Sequence, residues 1–227
     1  MSQATIGYDG PVSQHDHSHA ARARLLAKIP RGYRPWLHLA VPNVYGALVI
    51  AACVCSLEGP GPWQWSTLPL VFVAAQGIEW RFHRDLLHRR VPPLQWLYDA
   101  HAVSHHAVFV RGAMAIREAR ELRGVLFPWW AIVALTLLMA PFAWTLAALF
   151  GRDVGLLFLV ATHAYLMIYE WLHTIYHLPG RSWILRMWPF RGLAEHHAVH
   201  HEPRWMPRAN FGVTTPLWDW LRGTRRS

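Results

Sequence analysis

Residues 154–177 read VGLLFLVATHAYLMIYEWLHTIYH, an apolar run that ends in two histidines, His173 and His177. Residues four positions apart share one face of a helix, so both imidazoles can point at one metal ion. The apolar part, 154–171, is close to the roughly 20 residues that a helix needs to cross a bilayer. The stretch predicts a membrane-spanning helix whose end binds metal.

Three further apolar segments of similar length precede it, at 36–57, 63–80 and 125–150. The short links EGPGP (58–62) and GRD (151–153) join these segments in pairs, which indicates two helical hairpins. We therefore expect an all-α polytopic membrane protein with about four transmembrane helices and a cytoplasmic, histidine-rich helical cap. Pro141 lies inside the third segment and should kink it or split it into two helices.

The composition supports a membrane protein, since 53% of the 227 residues are hydrophobic and only 15% are charged. Soluble domains carry about a quarter charged residues. The formal net charge is +9, but the arginines are scattered between apolar runs. Anionic lipid head groups are therefore the expected partners of these charges, and nucleic acid is not.

Lysine and arginine predict the orientation, because these residues are enriched in short cytoplasmic loops. Only Arg152 of the 22 lies in either hairpin loop. Both termini and the segment between the hairpins should face the cytoplasm. The polar tail, residues 1–30, is expected to be disordered, and residues 31–227 should form one domain.

Sixteen histidines occur, and ten of them form four spaced groups after the second apolar segment. These ten are the candidate metal ligands: His83, His88, His101, His105, His106, His173, His177, His197, His200 and His201. They are about what two metal ions of five or six coordination need. Helical spacing pairs His101 with His105 and groups His197 with His200 and His201.

The five-residue spacing of His83 and His88 requires the helix to end or bend near residues 84–87. His196 stands four positions before His200 and could replace His197 as a ligand. His38 and His163 lie inside apolar segments, so we expect both to be outside the metal site.

Two acidic residues, Glu79 and Glu170, stand one helical turn before His83 and His173. A carboxylate that accepts the ring N–H of a metal-binding histidine fixes its tautomer and orientation. We expect Glu79 and Glu170 to play that part. The alternative for Glu79 is a salt bridge to a neighbouring arginine.

From about residue 79 to 224 the sequence resembles the membrane fatty acid hydroxylase and sterol desaturase superfamily. The four histidine groups occur in that family's order, and NFGVTTPLWDWLRGT (210–224) is similar to its closing Asn-Tyr-Gly, Trp-Asp and Gly-Thr pattern. Phe211 replaces the usual Tyr. The resemblance implies the same ten ligands and favours His197 over His196. Asn210 and Asp219, in the closing segment, are further candidates to support the ligands.

The resemblance also implies the activity: two iron ions, for which zinc can substitute on purification, use O2 to hydroxylate or desaturate a lipid such as a fatty acyl chain or a sterol. It further implies a location in a bacterial inner membrane or the endoplasmic reticulum, and we expect the former. The tail before the first apolar segment is too short for a fused haem domain, so we expect a separate electron-transfer protein of ferredoxin or cytochrome type.

Two kinds of alternative stay open. A carotenoid-type hydroxylase or a sterol methyl oxidase would use the same metal set on a bulkier substrate. A membrane metal transporter would use histidine clusters as transport sites, which normally lie near mid-membrane.

Overall fold

A computed structural model describes residues 14–227, with side chains from residue 17 onward, and that part of the chain contains helices and no strand. Its α-helices are α1 (Gln14–Lys28), α2 (Pro35–Cys55), α3 (Pro62–Trp65), α4 (Thr67–Phe82), α5 (Gln95–Tyr98), α6 (His106–Val108), α7 (Ala131–Phe150), α8 (Arg152–Tyr176), α9 (Phe190–His200) and α10 (Leu217–Leu221). Two π-helical turns, His83–Leu87 and Asp99–His105, and two 3-10 turns, Ala119–Gly124 and Trp183–Arg186, lie between them.

Within the described residues, three helices are long and apolar enough to cross a membrane, namely α2, α7 and α8. Large apolar side chains such as Leu48, Leu137 and Trp144 are exposed on their outer faces, as a surface in contact with lipid requires. The second predicted span forms α4, which has only 16 residues. At 1.5 Å per residue it is about 24 Å long, shorter than the roughly 30 Å hydrocarbon layer. By length and composition, three of the four predicted spans are therefore found, and α4 is shorter than the criterion for a span.

Helix α8 is the centre of the bundle and packs against α7, α2 and α4. Gly155 permits the close approach of α7, because a Cβ at this position would lie 2.4 Å from the carbonyl oxygen of Ala143. Helix α7 continues through Pro141 as one helix, so the predicted division into two helices does not occur.

The two hairpin loops meet at one end of the bundle. Arg152 forms an ion pair with Glu58, and Asp153 accepts a hydrogen bond from the Glu58 backbone N–H at 3.1 Å. Helices α4 and α8 run from this end to the opposite one, where His83 and His173 lie. We call this opposite end the histidine end.

Part of the tail that was predicted to be disordered, residues 14–28, forms α1, while residues 1–13 lie outside the described part. Polar contacts hold α1 to the rest of the chain. Ser18 donates to the carbonyl of Val108 at 2.6 Å, and Arg22 forms a buried ion pair with Glu121. The composition of this stretch predicts disorder. Composition does not show that Arg22 has a buried ionic partner, Glu121, 99 residues away.

Candidate metal centre

Ten histidine side chains gather at the histidine end in two groups of five, and the potential ligand atoms of each group lie within 4.8 Å of one another. Cluster A consists of His83, His88, His101, His106 and His200. Cluster B consists of His105, His173, His177, His197 and His201. These are the ten histidines that the sequence predicts as ligands, and all except His101 are buried.

The pairing within the clusters depends on the two π-helical turns. A π turn bonds residues five positions apart, so it places His83 beside His88 and His101 beside His106. The sequence predicts the first departure from α-helix, near residues 84–87, but not the second. The predicted pairing of His101 with His105 is therefore wrong, since His105 belongs to cluster B.

Helix α9 contributes to both clusters. His197 and His201 are four residues apart and belong to cluster B, whereas His200 belongs to cluster A. Consecutive helical residues differ in direction by about 100°, so the neighbours His200 and His201 cannot point at one ion. The ring of His200 instead lies 4.8 Å from that of His88, centroid to centroid.

Main-chain carbonyl groups fix the orientation of five rings through Nδ1. The Nδ1–oxygen distances are 2.6 Å for His83 with Phe211, 2.8 Å for His105 with Gly124, 2.9 Å for His177 with Met114, 2.8 Å for His200 with Ala209 and 2.5 Å for His201 with Phe109. A carbonyl oxygen can only accept, so each Nδ1 carries the proton. The lone pair is therefore on Nε2, the atom that enters the cluster.

The distances between Nε2 atoms fit nitrogen atoms around an ion. In cluster A, Nε2 of His83 and Nε2 of His101 are 2.8 Å apart. In cluster B, the Nε2 atoms of His105 and His201 are 3.3 Å apart. Two nitrogens each about 2.1 Å from one ion and at right angles would be about 3 Å apart. Since neither His105 nor His201 has a proton on Nε2, a cation between them would fit this geometry.

Unsatisfied nitrogen atoms lead to the same interpretation. The buried Nε2 of His173 has no hydrogen-bond partner among the described residues. The ring forms a hydrogen bond with the backbone of Val125. Burying a polar group without a partner is costly. The donor set, five imidazoles in each cluster, therefore fits two metal ions.

Burial keeps the histidines neutral. It lowers the pKa of His83 and of His105 to about 4. It also lowers the pKa of His177, His197 and His201 well below the usual range. Neutral imidazoles are the form that binds metal, so the site needs no deprotonation near neutral pH.

His196, the alternative ligand, lies outside both clusters. Its Nε2 is 3.2 Å from a carboxylate oxygen of Asp219. The histidines inside the apolar segments also lie elsewhere, as predicted. His38 contacts Tyr33 and the Phe127 carbonyl, each at 2.8 Å, and His163 contacts Thr136 at 2.8 Å.

The predicted bonds from Glu79 and Glu170 to histidine are absent. Glu79 accepts hydrogen bonds from the Tyr165 hydroxyl, from the Thr214 hydroxyl at 2.8 Å and from the backbone N–H groups of Val213 and Thr214. The Glu79 carboxylate thus holds the closing segment (210–224) against α4 and α8. Its hydrogen bonds go to backbone N–H groups and hydroxyl groups and not to histidine.

Glu170 accepts from the Phe127 backbone N–H at 3.0 Å. The alternative salt bridge of Glu79 is absent too, since the nearby Arg81 and Arg84 pair with Asp85. Neither acidic residue therefore meets the partner that helical spacing predicts.

Asp219 is a buried acceptor that supports cluster A from a distance. Its carboxylate accepts from Trp80 Nε1 (3.1 Å), Phe211 N (3.0 Å), Gly212 N (2.7 Å), Thr224 Oγ1 (2.6 Å) and His196 Nε2 (3.2 Å). Burial raises the pKa of Asp219, but these hydrogen bonds outweigh burial and hold it below its usual value. Because Phe211 accepts from His83 through its carbonyl, Asp219 positions that ring through one residue.

Asn210 precedes Phe211 and adopts a φ of 56°, in the left-handed region that asparagine tolerates. Its amide donates to the His196 carbonyl at 2.9 Å and accepts from the Arg226 N–H at 2.7 Å. These two hydrogen bonds of Asn210 therefore fix the turn that places the Phe211 carbonyl next to Nδ1 of His83. The carbonyl partners of the rings were missed by the sequence analysis, because a main-chain acceptor has no side-chain signature.

Comparison with known proteins identifies a family. The family described as fatty acid hydroxylase matches residues 68–224, which is more than half of the chain and contains all ten histidines of clusters A and B. A solved structure described as full-length Scs7p, with only the hydroxylase domain visible, is similar with a TM-score of 0.57 and 18% identity. The similarity covers 84% of this chain and 67% of that one, and at this identity it shows a shared fold. No curated protein matches the sequence significantly.

Proposed function

The chain belongs to the fatty acid hydroxylase family, and from this premise we propose that it is a membrane di-iron oxygenase that hydroxylates a lipid such as a fatty acyl chain. The observation that carries the proposal is the pair of five-histidine clusters at one end of an apolar bundle. Hydroxylation balances when one oxygen atom of O2 enters a C–H bond and the other leaves as water, with two electrons and two protons consumed.

The histidines of clusters A and B would hold the two iron ions. When bound, the irons would supply the electron transfer to O2 that makes an unactivated C–H bond reactive. The chain supplies neutral imidazoles whose tautomers are set by carbonyl groups, so the ligands are preorganised. It also excludes water, because nine of the ten rings are buried.

The position of the clusters favours a substrate that stays in the membrane. His83 follows the end of α4 directly, and His173 lies in the last turn of α8. A carbon atom near these helix ends is within reach of a lipid whose chain lies along the bundle. We place this end at the cytoplasmic face of a bacterial inner membrane, with electrons delivered by a ferredoxin or cytochrome.

Metal transport is not favoured by the geometry. Transport sites lie near mid-membrane, and here the clusters lie at the helix ends. The lipid could also be a sterol or a carotenoid, which the same metal set would serve.

The test is oxygen incorporation by purified protein loaded with iron(II), reduced and supplied with membrane lipid and isotopically labelled O2. The expected product is a lipid heavier by one labelled oxygen atom. The matched variants are His200→Ala, which should give no product, and His163→Gln, which should resemble the parent. Metal uptake into vesicles without O2 consumption would instead establish the transporter.

A further inference from the structure

A groove of about 750 Å³ opens at the histidine end, where α2 and α7 begin. Its walls include Tyr33, Arg34, Leu37, His38, Arg123 and Trp130. None of these residues belongs to either histidine cluster, and the proposed oxidation does not use the groove. Its volume is in the range of small-molecule sites.

The groove carries positive charge without a neutralising partner. Arg34 and Arg123 are exposed. Neither takes part in any ion pair found among the described residues. Within the described part of the chain, no carboxylate lines the groove. An anion is therefore the complementary ligand.

Tryptophans place the groove at the depth of lipid head groups. Trp129 and Trp130, which line the groove, are 58% and 45% exposed, and Trp36, two positions after Arg34, is 69% exposed. Exposed tryptophans of membrane proteins concentrate at the head-group level. Helix α2 starts at Pro35, directly after Arg34, so the charges lie where the apolar span begins.

An apolar stripe leads away from the charges along α2. Leu37 and Val41 line the groove, and Val44 and Leu48 continue it as exposed residues. Positions 37, 41, 44 and 48 recur every three or four residues and so lie on one helical face. A ligand with a charged head and an apolar chain matches this sequence of surfaces.

The wall of the groove is held in place by hydrogen bonds. Nε2 of His38 donates to the Phe127 carbonyl at 2.8 Å, so Nδ1 accepts from the Tyr33 hydroxyl, also at 2.8 Å. The groove is thereby preformed, and Tyr33 keeps a free acceptor lone pair while the arginines supply all the charge.

From this arrangement we propose that the groove binds the phosphate head of an anionic membrane phospholipid, with one acyl chain along the stripe from Leu37 to Leu48. The arginines hold the phosphate, the tryptophans set its depth, and the apolar face of α2 receives the chain. Arginine side chains near a membrane surface favour anionic lipids. Two of them should favour such a lipid over a zwitterionic one by on the order of tenfold or more.

The experiment uses the full chain in phosphatidylcholine nanodiscs that contain a minor fraction of phosphatidylglycerol with a photoactivatable acyl chain. After irradiation, peptides carrying the probe are identified by mass spectrometry. Labelling is expected within residues 34–48 and 123–130, and roughly tenfold more than with phosphatidylcholine carrying the same acyl chain. The double variant Arg34→Gln/Arg123→Gln should lose this preference.

The matched control is Arg181→Gln/Arg186→Gln, which removes two exposed arginines from the segment between α8 and α9. It should keep the preference. Equal labelling by the two lipids, or equal loss in both double variants, would overturn the assignment. Displacement of the probe by inorganic phosphate would assign the groove to a free anion and overturn it as well.

Discussion

An imidazole binds a metal ion only through a nitrogen without a proton, and the backbone decides which nitrogen that is. Five Nδ1 atoms donate to carbonyl groups, which leaves Nε2 free to ligate. The carbonyls come from segments on both sides of the clusters, such as Phe109 and Phe211. The fold therefore determines which ring nitrogen carries the proton. The local sequence determines only where the histidines occur.

Removal of one ligand should affect one cluster. His105→Ala removes a ligand of cluster B, and His200→Ala removes one of cluster A. Each variant should fall from two metal ions per chain toward one and lose hydroxylation, because the proposed oxidation uses both ions. Elemental analysis of purified protein gives the metal content. His163→Gln is the control and should keep both ions. An alanine variant with both ions retained would contradict the ligand assignment.

Asp219 should influence cluster A only. The Asp219→Asn change removes the charge that holds five donors and loosens the Phe211 carbonyl at His83. Changes behind a metal ligand weaken affinity about 10- to 100-fold. Competition with an iron(II) chelator should show one weakened and one unchanged site. Glu58→Gln, at the exposed ion pair with Arg152 at the other end of the bundle, is the control. Equal weakening of both sites would indicate general loss of structure instead.

At the level of elements, the sequence predicted the apolar helices and the ten clustered histidines. It did not predict how these histidines are divided between cluster A and cluster B. Helical periodicity assumes 3.6 residues per turn, and the π turn at Asp99–His105 departs from it. No feature of the local sequence DAHAVSH requires a π turn. The turn is instead stabilised by the contacts of its histidines within clusters A and B. Glu79 illustrates the same limit, since its partners in Val213 and Thr214 are 134 and 135 residues away.

Helix α1 is held to the histidine end by a buried ion pair, and its docking reaches cluster B. The Arg22 guanidinium lies 5.3 Å from the Phe109 ring centroid. The Phe109 carbonyl accepts a hydrogen bond from Nδ1 of His201. The apolar residues Ala21 and Leu25 pack against the same core. Helix α1, in a stretch expected to be disordered, therefore packs beside cluster B.

The change Arg22→Ala leaves Glu121 buried without its partner. Breaking a buried pair in this way costs about 3–5 kcal/mol. We expect faster proteolysis between α1 and α2 and a lower Tm, both measured on protein in detergent. Arg24→Ala, which removes an exposed arginine two positions away, should change neither. If both variants behaved alike, the ion pair would not be what holds α1.

At the scale of the whole molecule, both ends of the described chain lie at the histidine end. Helix α1 packs against α6, and α10 packs against α4 near Trp80. The hairpin loops meet at the other end. Four crossings are consistent with this arrangement only if α4, at 16 residues, reaches across the bilayer. The π turn His83–Leu87 extends it, and local thinning of the bilayer accommodates a short helix at modest cost.

The number of crossings can be counted from outside the cell. In a Cys53→Ser/Cys55→Ser background, we expect Pro62→Cys, in the first hairpin, to react with a membrane-impermeant maleimide in intact bacterial spheroplasts. Ser227→Cys should react only after permeabilisation, because four crossings return the chain to the cytoplasm. If α4 did not cross, the remaining three spans would carry the C-terminus outside, and both cysteines would react in intact spheroplasts. That outcome would also put the first hairpin loop outside and the second inside, which the contacts of Glu58 with Arg152 and Asp153 do not allow. Labelling of Ser227→Cys alone would invert the orientation that the arginines predict.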